Sequence, residues 1–170
     1  MKRIVAIILM MASFGLTYAQ KYAFVDTEYI LNNIPSYKVA QDQLDKYSAE
    51  LQKEIEAKYA EIDNMYKKYQ AEKVLLTDEM RNKREDEIVT KEKEVKELQK
   101  KYFGQDGALF KKREELIKPI QDEIYNAIKE IAAEGGFAAI FDTSADATII
   151  FSDPKYDKSD QVLQKLGYKK

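Results

Sequence analysis

Between Ser36 and Glu72 the chain reads SYKVAQDQLDKYSAELQKEIEAKYAEIDNMYKKYQAE, and the placement of its apolar residues decides the fold. Ala40, Leu44, Tyr47, Leu51, Ile55, Tyr59, Ile62, Tyr66 and Tyr69 recur at intervals of three and four, the spacing that lines one side of an α-helix. Most positions between them are charged or polar, so the segment is a solvated rod with a narrow apolar stripe. Leu44, Ile55 and Tyr66 also stand 11 apart, as do Leu51, Ile62 and Lys73. A repeat of that length averages about 3.67 residues per turn and predicts a weak supercoil, not a strongly left-handed one.

A second stripe follows downstream: Ile88, Val95, Leu98, Tyr102, Leu109, Phe110, Leu116, Ile117, Ile120, Ile124, Ile128 and Ile131. Between the stripes lies Val74-Leu75-Leu76-Thr77-Asp78-Glu79. Thr77 suits an N-cap, and Asp78 and Glu79 in the first turn complement the helix dipole. The first helix is expected to open near Ser36, just after Pro35. If the chain folds back near residue 77, positions equidistant from it lie side by side, and Pro35 comes level with Pro119. Each arm is then about 41 residues and roughly 60 Å long. A disordered charged segment is the rival reading, but disorder does not keep Leu, Ile and Tyr at regular spacing.

Residues 36–118 hold 19 basic and 19 acidic side chains, and no proline. The flanks differ. Lys21 to Asp26 reads as a strand, and a short helix should follow through Tyr29, Ile30 and Leu31. Gly135-Gly136 should end the long second helix. Phe137–Phe141 and Thr148–Phe151 read as two strands of a hairpin, and a last short helix should carry Val162, Leu163 and Leu166. The organisation is therefore α+β, with residues 20–35 and 119–170 forming a small β-containing body and 36–118 a helical hairpin arm whose tip is near 74–79. Three strands and short helices make a small core, and a body of that size gains most by oligomerising.

The first 19 residues read as an address. Met1-Lys2-Arg3 is a cationic start, Ile4 to Leu16 an apolar run, and Thr17-Tyr18-Ala19 a small-residue cleavage site, placing the cut between Ala19 and Gln20. An uncleaved anchor is the alternative, but the run is shorter than the roughly 20 residues a bilayer needs. Without Lys2 and Arg3 the remaining chain has 26 basic and 30 acidic residues, a net charge of −4. An exported chain is expected.

Of the 170 residues none is His, Cys or Trp. No imidazole or thiolate relay, no zinc knuckle and no disulfide can be built from such a chain. No glycine-rich phosphate loop occurs. Neither a cofactor nor a metal site is expected, and an enzyme is a distant reading. Phe141-Asp142-Thr143-Ser144 resembles the turn of aspartic proteases, but that chemistry needs two carboxylates sharing a proton in a largely β chain. Asp142 reads better as the end of a strand or the cap of a turn. Asp146, Asp153, Asp157 and Asp160 match no EF-hand spacing and read as solvated turn carboxylates.

Gly104 and Gly107 interrupt the second stripe. They read equally as a tolerated weakness, a small-residue contact, or a hinge that lets the arm splay. Six of the 12 tyrosines fall in the arm. Many serve simply as stripe residues. Tyr47, Tyr59, Tyr66, Tyr69 and Tyr102, with Met65, Met80, Val89 and Phe103, are also the candidates for an adaptable surface that holds varied apolar segments. From Lys67 to Lys101 there are 11 basic and nine acidic residues, too small an excess to point to nucleic acid.

Taken in order, Phe24-Val25-Asp26 with Ile30-Leu31, Ile117-Lys118-Pro119-Ile120 leading into Ala127-Ile128, and Gly136-Phe137 through Ile140-Phe141-Asp142 form a pattern. It continues through Phe151-Ser152-Asp153-Pro154 and Asp157 to Leu163. This series, behind an export signal and around a helical hairpin, resembles the Skp (OmpH-like) family of periplasmic chaperones over nearly the whole chain. The resemblance implies a jellyfish-like homotrimer whose arms enclose a cavity. It implies an ATP-independent holdase that keeps unfolded outer-membrane β-barrel proteins from aggregating and passes them to the insertion machinery. Phe24, Val25, Ile30, Leu31, Phe137, Ile140, Phe141, Ile149 and Phe151 are then the expected trimer body. Well-studied members are strongly basic and linked to lipopolysaccharide and anionic membranes. This chain is net acidic, a departure from the family's pattern that counts against that partnership here. A coiled-coil adaptor or spacer docking one folded partner is the alternative reading.

Overall fold

The computed structural model describes residues 20–144 and 149–168. The expected signal peptide, Asp146 and Thr148 lie outside the described residues. The elements run β1 (Lys21–Val25), α1 (Thr27–Asn32), α2 (Pro35–Glu72), a 3-10 turn (Lys73–Leu75), α3 (Asp78–Phe103), α4 (Ala108–Gly135), β2 (Phe137–Asp142), a second 3-10 turn (Pro154–Tyr156) and α5 (Ser159–Lys165). They divide into two units: Ile34–Glu123, and the residues up to Asn33 together with those from Ile124 onward.

The first of these units contains the hairpin of α2 and α3. Pro35 is the first residue of α2 and Ile34 its cap, with no side-chain cap bond, so the helix starts one residue before the expected Ser36. Proline suits that position because its φ is already helical and its missing N–H would have had no partner. At the turn, Thr77 Oγ1 accepts from the Met80 amide at 3.3 Å, as the sequence predicted. Three hydrogen bonds set the register. Tyr69 donates its hydroxyl to Glu85, and Arg81 Nε donates to the Lys73 carbonyl at 3.1 Å, both pairs centred on residue 77. Tyr102 donates to Glu54 Oε2 at 2.8 Å, a pair centred on residue 78.

Ile55, Ile62 and Tyr69 pack with Ile88 and Val95, and Met65, Leu76, Leu98 and Tyr102 close over them. The buried positions step by seven on both helices. The 11-residue rhythm fails toward the tip, where Tyr66 and Lys73 are exposed. A seven-residue step keeps the seam facing its partner in a two-helix contact, which an 11-residue step does not.

The second stripe is not one helix. It breaks between Phe103 and Ala108, and Pro119 lies inside α4. The break is a hydrogen-bonded turn: Gly104 N–H donates to the Lys100 carbonyl at 2.8 Å and Gly107 N–H to the Gly104 carbonyl at 2.9 Å. A Cβ at Gly104 would stand 2.4 Å from the Lys100 oxygen, and one at Gly107 would stand 2.7 Å from the Tyr102 oxygen. Glycine is required there by close approach of backbone.

In the other unit, β1 and β2 pair in parallel, Tyr22 opposite Ala139 through Val25 opposite Asp142. This corrects the expected hairpin of Phe137–Phe141 with Thr148–Phe151. Ile149 to Phe151 lie in no strand, and Ile150 and Phe151 are 94% and 79% exposed. Parallel partners need a long crossover, and the helices between the strands supply it. Gly136, at φ +63°, makes the turn from α4 into β2, a conformation that costs glycine nothing.

Ala23, Val25, Ile30, Val162 and Leu163 are buried, with Ile124, Ala127 and Ile131 of α4. Ser159 Oγ accepts from the Asp26 amide at 2.8 Å, and Lys158 N–H donates to the Phe24 carbonyl at 2.8 Å, fastening the α5 segment to β1. Lys165 bridges from α5 to Glu130 at 3.0 Å and Glu134 at 2.7 Å on α4, and these carboxylates hold its ammonium above its ordinary pKa. Asp142, the last residue of β2, accepts from Thr27 Oγ1 at 2.5 Å, Thr27 N at 3.2 Å, Ser144 N at 3.0 Å and Ser144 Oγ at 2.8 Å. Burial alone would raise its pKa. The bonds from Thr27 and Ser144 outweigh burial and hold the carboxyl below its ordinary value.

Candidate functional site

A helix turns about 100° per residue, so the flanks of the hairpin can be read from the buried line Ile55–Ile62–Tyr69. Tyr59 and Tyr66 fall on one side of that line, while Glu61 and Met65 fall on the other. On α3, Val89 and Phe103 each follow by one the core-side residues Ile88 and Tyr102, and Lys91 and Leu98 turn the opposite way. For antiparallel helices this angular sense brings Tyr59, Tyr66, Val89 and Phe103 to one flank. All four are exposed. Tyr66 and Val89 stand level about residue 77. From that level to Phe103 the stripe is roughly 22 Å long.

The nine candidate arm residues thus separate. Tyr69 is only 4% exposed and belongs to the interhelical core, with its hydroxyl held by Glu85. Tyr47, Met65 and Tyr102 are half-buried, and the last two pack on the core. Met80 is exposed near the tip, beside two aliphatic residues that the sequence reading passed over, Val74 and Leu75. Their signal was available: they open a run of three consecutive apolar residues, Val74-Leu75-Leu76, that fits neither stripe.

Exposed tyrosine and valine on a charged rod are flanked by ion pairs such as Lys67–Asp63 at 2.6 Å. Such pairs contribute little to stability but keep the surface hydrated. The flank can make many weak apolar contacts without presenting one continuous patch.

The expected body residues separate too. Val25 and Ile30 are buried within the chain. Phe24, Leu31, Phe137, Ile140 and Ile149 are half-buried, while Phe141 and Phe151 are exposed, as is Ile150, which the sequence reading omitted. Tyr22 and Phe24 lie at 6.1 and 5.9 Å from the Phe141 ring. The acidic residues near the C-terminus act as turn caps. Asp153 accepts from the Lys155 amide at 3.1 Å, and Asp157 accepts from Ser159 N at 2.8 Å and Oγ at 2.6 Å. Asp160 accepts from the Tyr29 hydroxyl at 2.8 Å.

No curated protein matches the chain. Among solved structures, a Caulobacter crescentus protein described as an outer membrane chaperone (OmpH-like) shares the fold with a TM-score of 0.67 at 11% identity, over 89% of this chain and 86% of its own. The family described as outer membrane protein (OmpH-like) matches residues 21–166. With strand, helical hairpin, returning strand and closing helix all within that span, the chain belongs to the OmpH-like family.

Proposed function

We propose that this protein is an ATP-independent periplasmic holdase that keeps unfolded outer-membrane β-barrel proteins from aggregating. The observation that carries the reading is the exposed stripe of Tyr59, Tyr66, Val89 and Phe103 along one flank of an otherwise charged hairpin. Membership of the family supports it, as does the chaperone description of the Caulobacter relative.

Each side chain of the stripe offers a small apolar or aromatic contact that fits many partners. Three arms in a homotrimer would multiply these weak contacts into firm capture, because the second and third are made at high effective concentration. The open stripe, unlike a shaped pocket, favours clients that have lost their own structure.

The test is suppression of aggregation when an unfolded β-barrel protein is diluted from denaturant into the purified chain. Stoichiometric protein should keep it soluble. Tyr59→Ser with Tyr66→Ser should weaken holding several-fold and leave helicity unchanged, since neither side chain is in the core. Failure of the unmodified chain to suppress aggregation defeats the reading. Complete loss from one substitution would favour an adaptor with a single docking patch.

A further inference from the structure

Cleavage between Ala19 and Gln20, expected from the leading segment, puts a glutamine at the start of the exported chain. Gln20 is exposed and stands immediately before β1, which opens at Lys21. Its side chain reaches forward along the strand, and the Tyr22 hydroxyl donates to Gln20 Oε1 at 2.6 Å. Tyr22 is itself held from the other strand. It stands opposite Ala139, and its ring centroid lies 6.1 Å from that of Phe141. We infer that Gln20 is a modification site, where the exported chain closes its first residue into a pyroglutamate lactam while the Tyr22 hydroxyl polarises the side-chain amide.

The chemistry is intramolecular. A glutamine at the N-terminus carries an amine and a side-chain amide at the separation a five-membered ring needs, which gives the attack a high effective concentration. An α-amine ordinarily titrates at about 7.7–8.0, so part of it is neutral and nucleophilic near pH 7. The Gln20 nitrogen attacks its own Cδ, a C–N bond forms, and negative charge gathers on Oε1, the oxygen to which the Tyr22 O–H already donates. The Cδ–Nε2 bond then breaks, one amine proton passes to Nε2, and ammonia leaves. Atoms and charge balance with no oxidant, reductant or second reactant. The lactam matters here because β1 begins one residue on. Enzymes that trim from a free amine would next take Lys21 and Tyr22, and with them the pairs to Phe137 and Ala139 and the ring contact to Phe141. β1 is also the strand to which the C-terminal segment is fastened, through Phe24 and Lys158. Blocking the amine keeps that strand whole.

The inference rests on the cut after Ala19 and not on client holding, which enters none of the readouts. The experiment is to export the full-length chain from a Gram-negative cell, purify it, and follow its N-terminal peptide by mass spectrometry over several days at neutral pH. The peptide should begin at Gln20 and convert to a species lighter by one ammonia, which an aminopeptidase no longer digests. Tyr22→Phe keeps the ring against Phe141 and removes the hydroxyl, so it should slow conversion severalfold and leave helicity unchanged. Gln20→Ala cannot cyclise, and the aminopeptidase should trim it into β1 and lower its Tm. A free amine that persists at Gln20 overturns the modification while leaving the cut in place. An N-terminus at another residue overturns the cut and the site together. Equal rates in the parent and in Tyr22→Phe overturn the part given to that hydroxyl, and resistance of Gln20→Ala to trimming overturns the protective role.

Discussion

The Tyr102 hydroxyl donates to Glu54 Oε2 at 2.8 Å, joining residues 48 apart in sequence across the helical hairpin. Nearer the tip Tyr69 makes the same kind of bond to Glu85. Two tyrosines on opposite helices thus reach across to glutamates on their neighbours, and the pair of bonds specifies one register. A shift of α3 by one turn would break both at once and would move Ile88 and Val95 out of line with Ile55 and Ile62.

Replacing Tyr102 and Tyr69 together by Phe keeps the rings and removes both hydroxyls. The double variant should lower Tm by several degrees and broaden the spread of distances between spin labels at Lys58 and Glu94. An unchanged Tm would show that apolar packing alone sets the register. The bonds also carry a pH signature. The bond to Glu85 chiefly raises the Tyr69 pKa above its ordinary value of 10.0, and the bond to Glu54 does the same for Tyr102. A folded pKa above the unfolded one means stabilisation that is complete below about pH 10 and lost as pH rises through the raised value. The phenolate absorbance should therefore show two late-titrating tyrosines that disappear in the double variant.

The register was legible from sequence because cap chemistry and apolar spacing agree at the turn. Thr77 with Asp78 and Glu79 marks a helix start, and apolar residues at three- and four-residue intervals stand on both sides of it. The same spacing misled about which residues are buried near the tip. Tyr66 and Lys73 complete an 11-residue series in the sequence, yet both are exposed, and Tyr69 takes the core position. Tyrosine is amphipathic enough to serve either place, so spacing alone cannot separate core Tyr69 from exposed Tyr66. The sheet was less legible for a different reason. Phe137–Phe141 and Ile149–Phe151 are neighbouring apolar runs, which ordinarily pair as a hairpin. Pairing β2 with β1 instead depends on the helical excursion returning the chain to its start, and no local signal records that.

Asp142 offers a test of the body. Its carboxylate ties the end of β2 to the start of α1 through Thr27 and holds the following turn through Ser144. Asp142→Ala should cost about 1–3 kcal/mol at neutral pH, the usual consequence of leaving partly buried donors unpaired. Because the folded pKa is depressed, the stabilisation is present above the unfolded pKa and lost as pH falls through the folded one. Urea unfolding followed from neutral pH to about pH 3 should show a shallower acid loss in the variant. Parallel curves for variant and parent would remove Asp142 from the acid response.

The glycine turn between α3 and α4 gives a third prediction. A hinge that merely lacked helix propensity would be straightened by alanine. Here a Cβ at either position meets a backbone carbonyl, so Gly104→Ala with Gly107→Ala cannot be accommodated in the present turn. Spin labels at Lys93 on α3 and Arg113 on α4 should report a changed distance distribution. Superimposable distributions would mean that the turn has no part in arm geometry.

Ile150 and Phe151 test assembly. Ile150 is 94% and Phe151 79% exposed, and in the two-stranded sheet β1 is further covered by the Asp157–Lys158 segment. The outer edge of β2 has no strand partner among the described residues. An open edge favours pairing with another chain, and exposed apolar side chains favour burial in an interface. Burying the two side chains in a trimer interface contributes about 3–6 kcal/mol per protomer, equal to roughly two to four orders of magnitude in Kd. Ile150→Asp with Phe151→Asp should therefore convert a trimer at micromolar concentration into a monomer by light scattering. Helicity should persist, because the α2–α3 core uses neither residue. A parent chain already monomeric under those conditions, or a variant that stays trimeric, would place the assembly contacts elsewhere or remove them. If the monomeric variant also holds clients less firmly while its arm remains intact, the loss measures the contribution of having three arms.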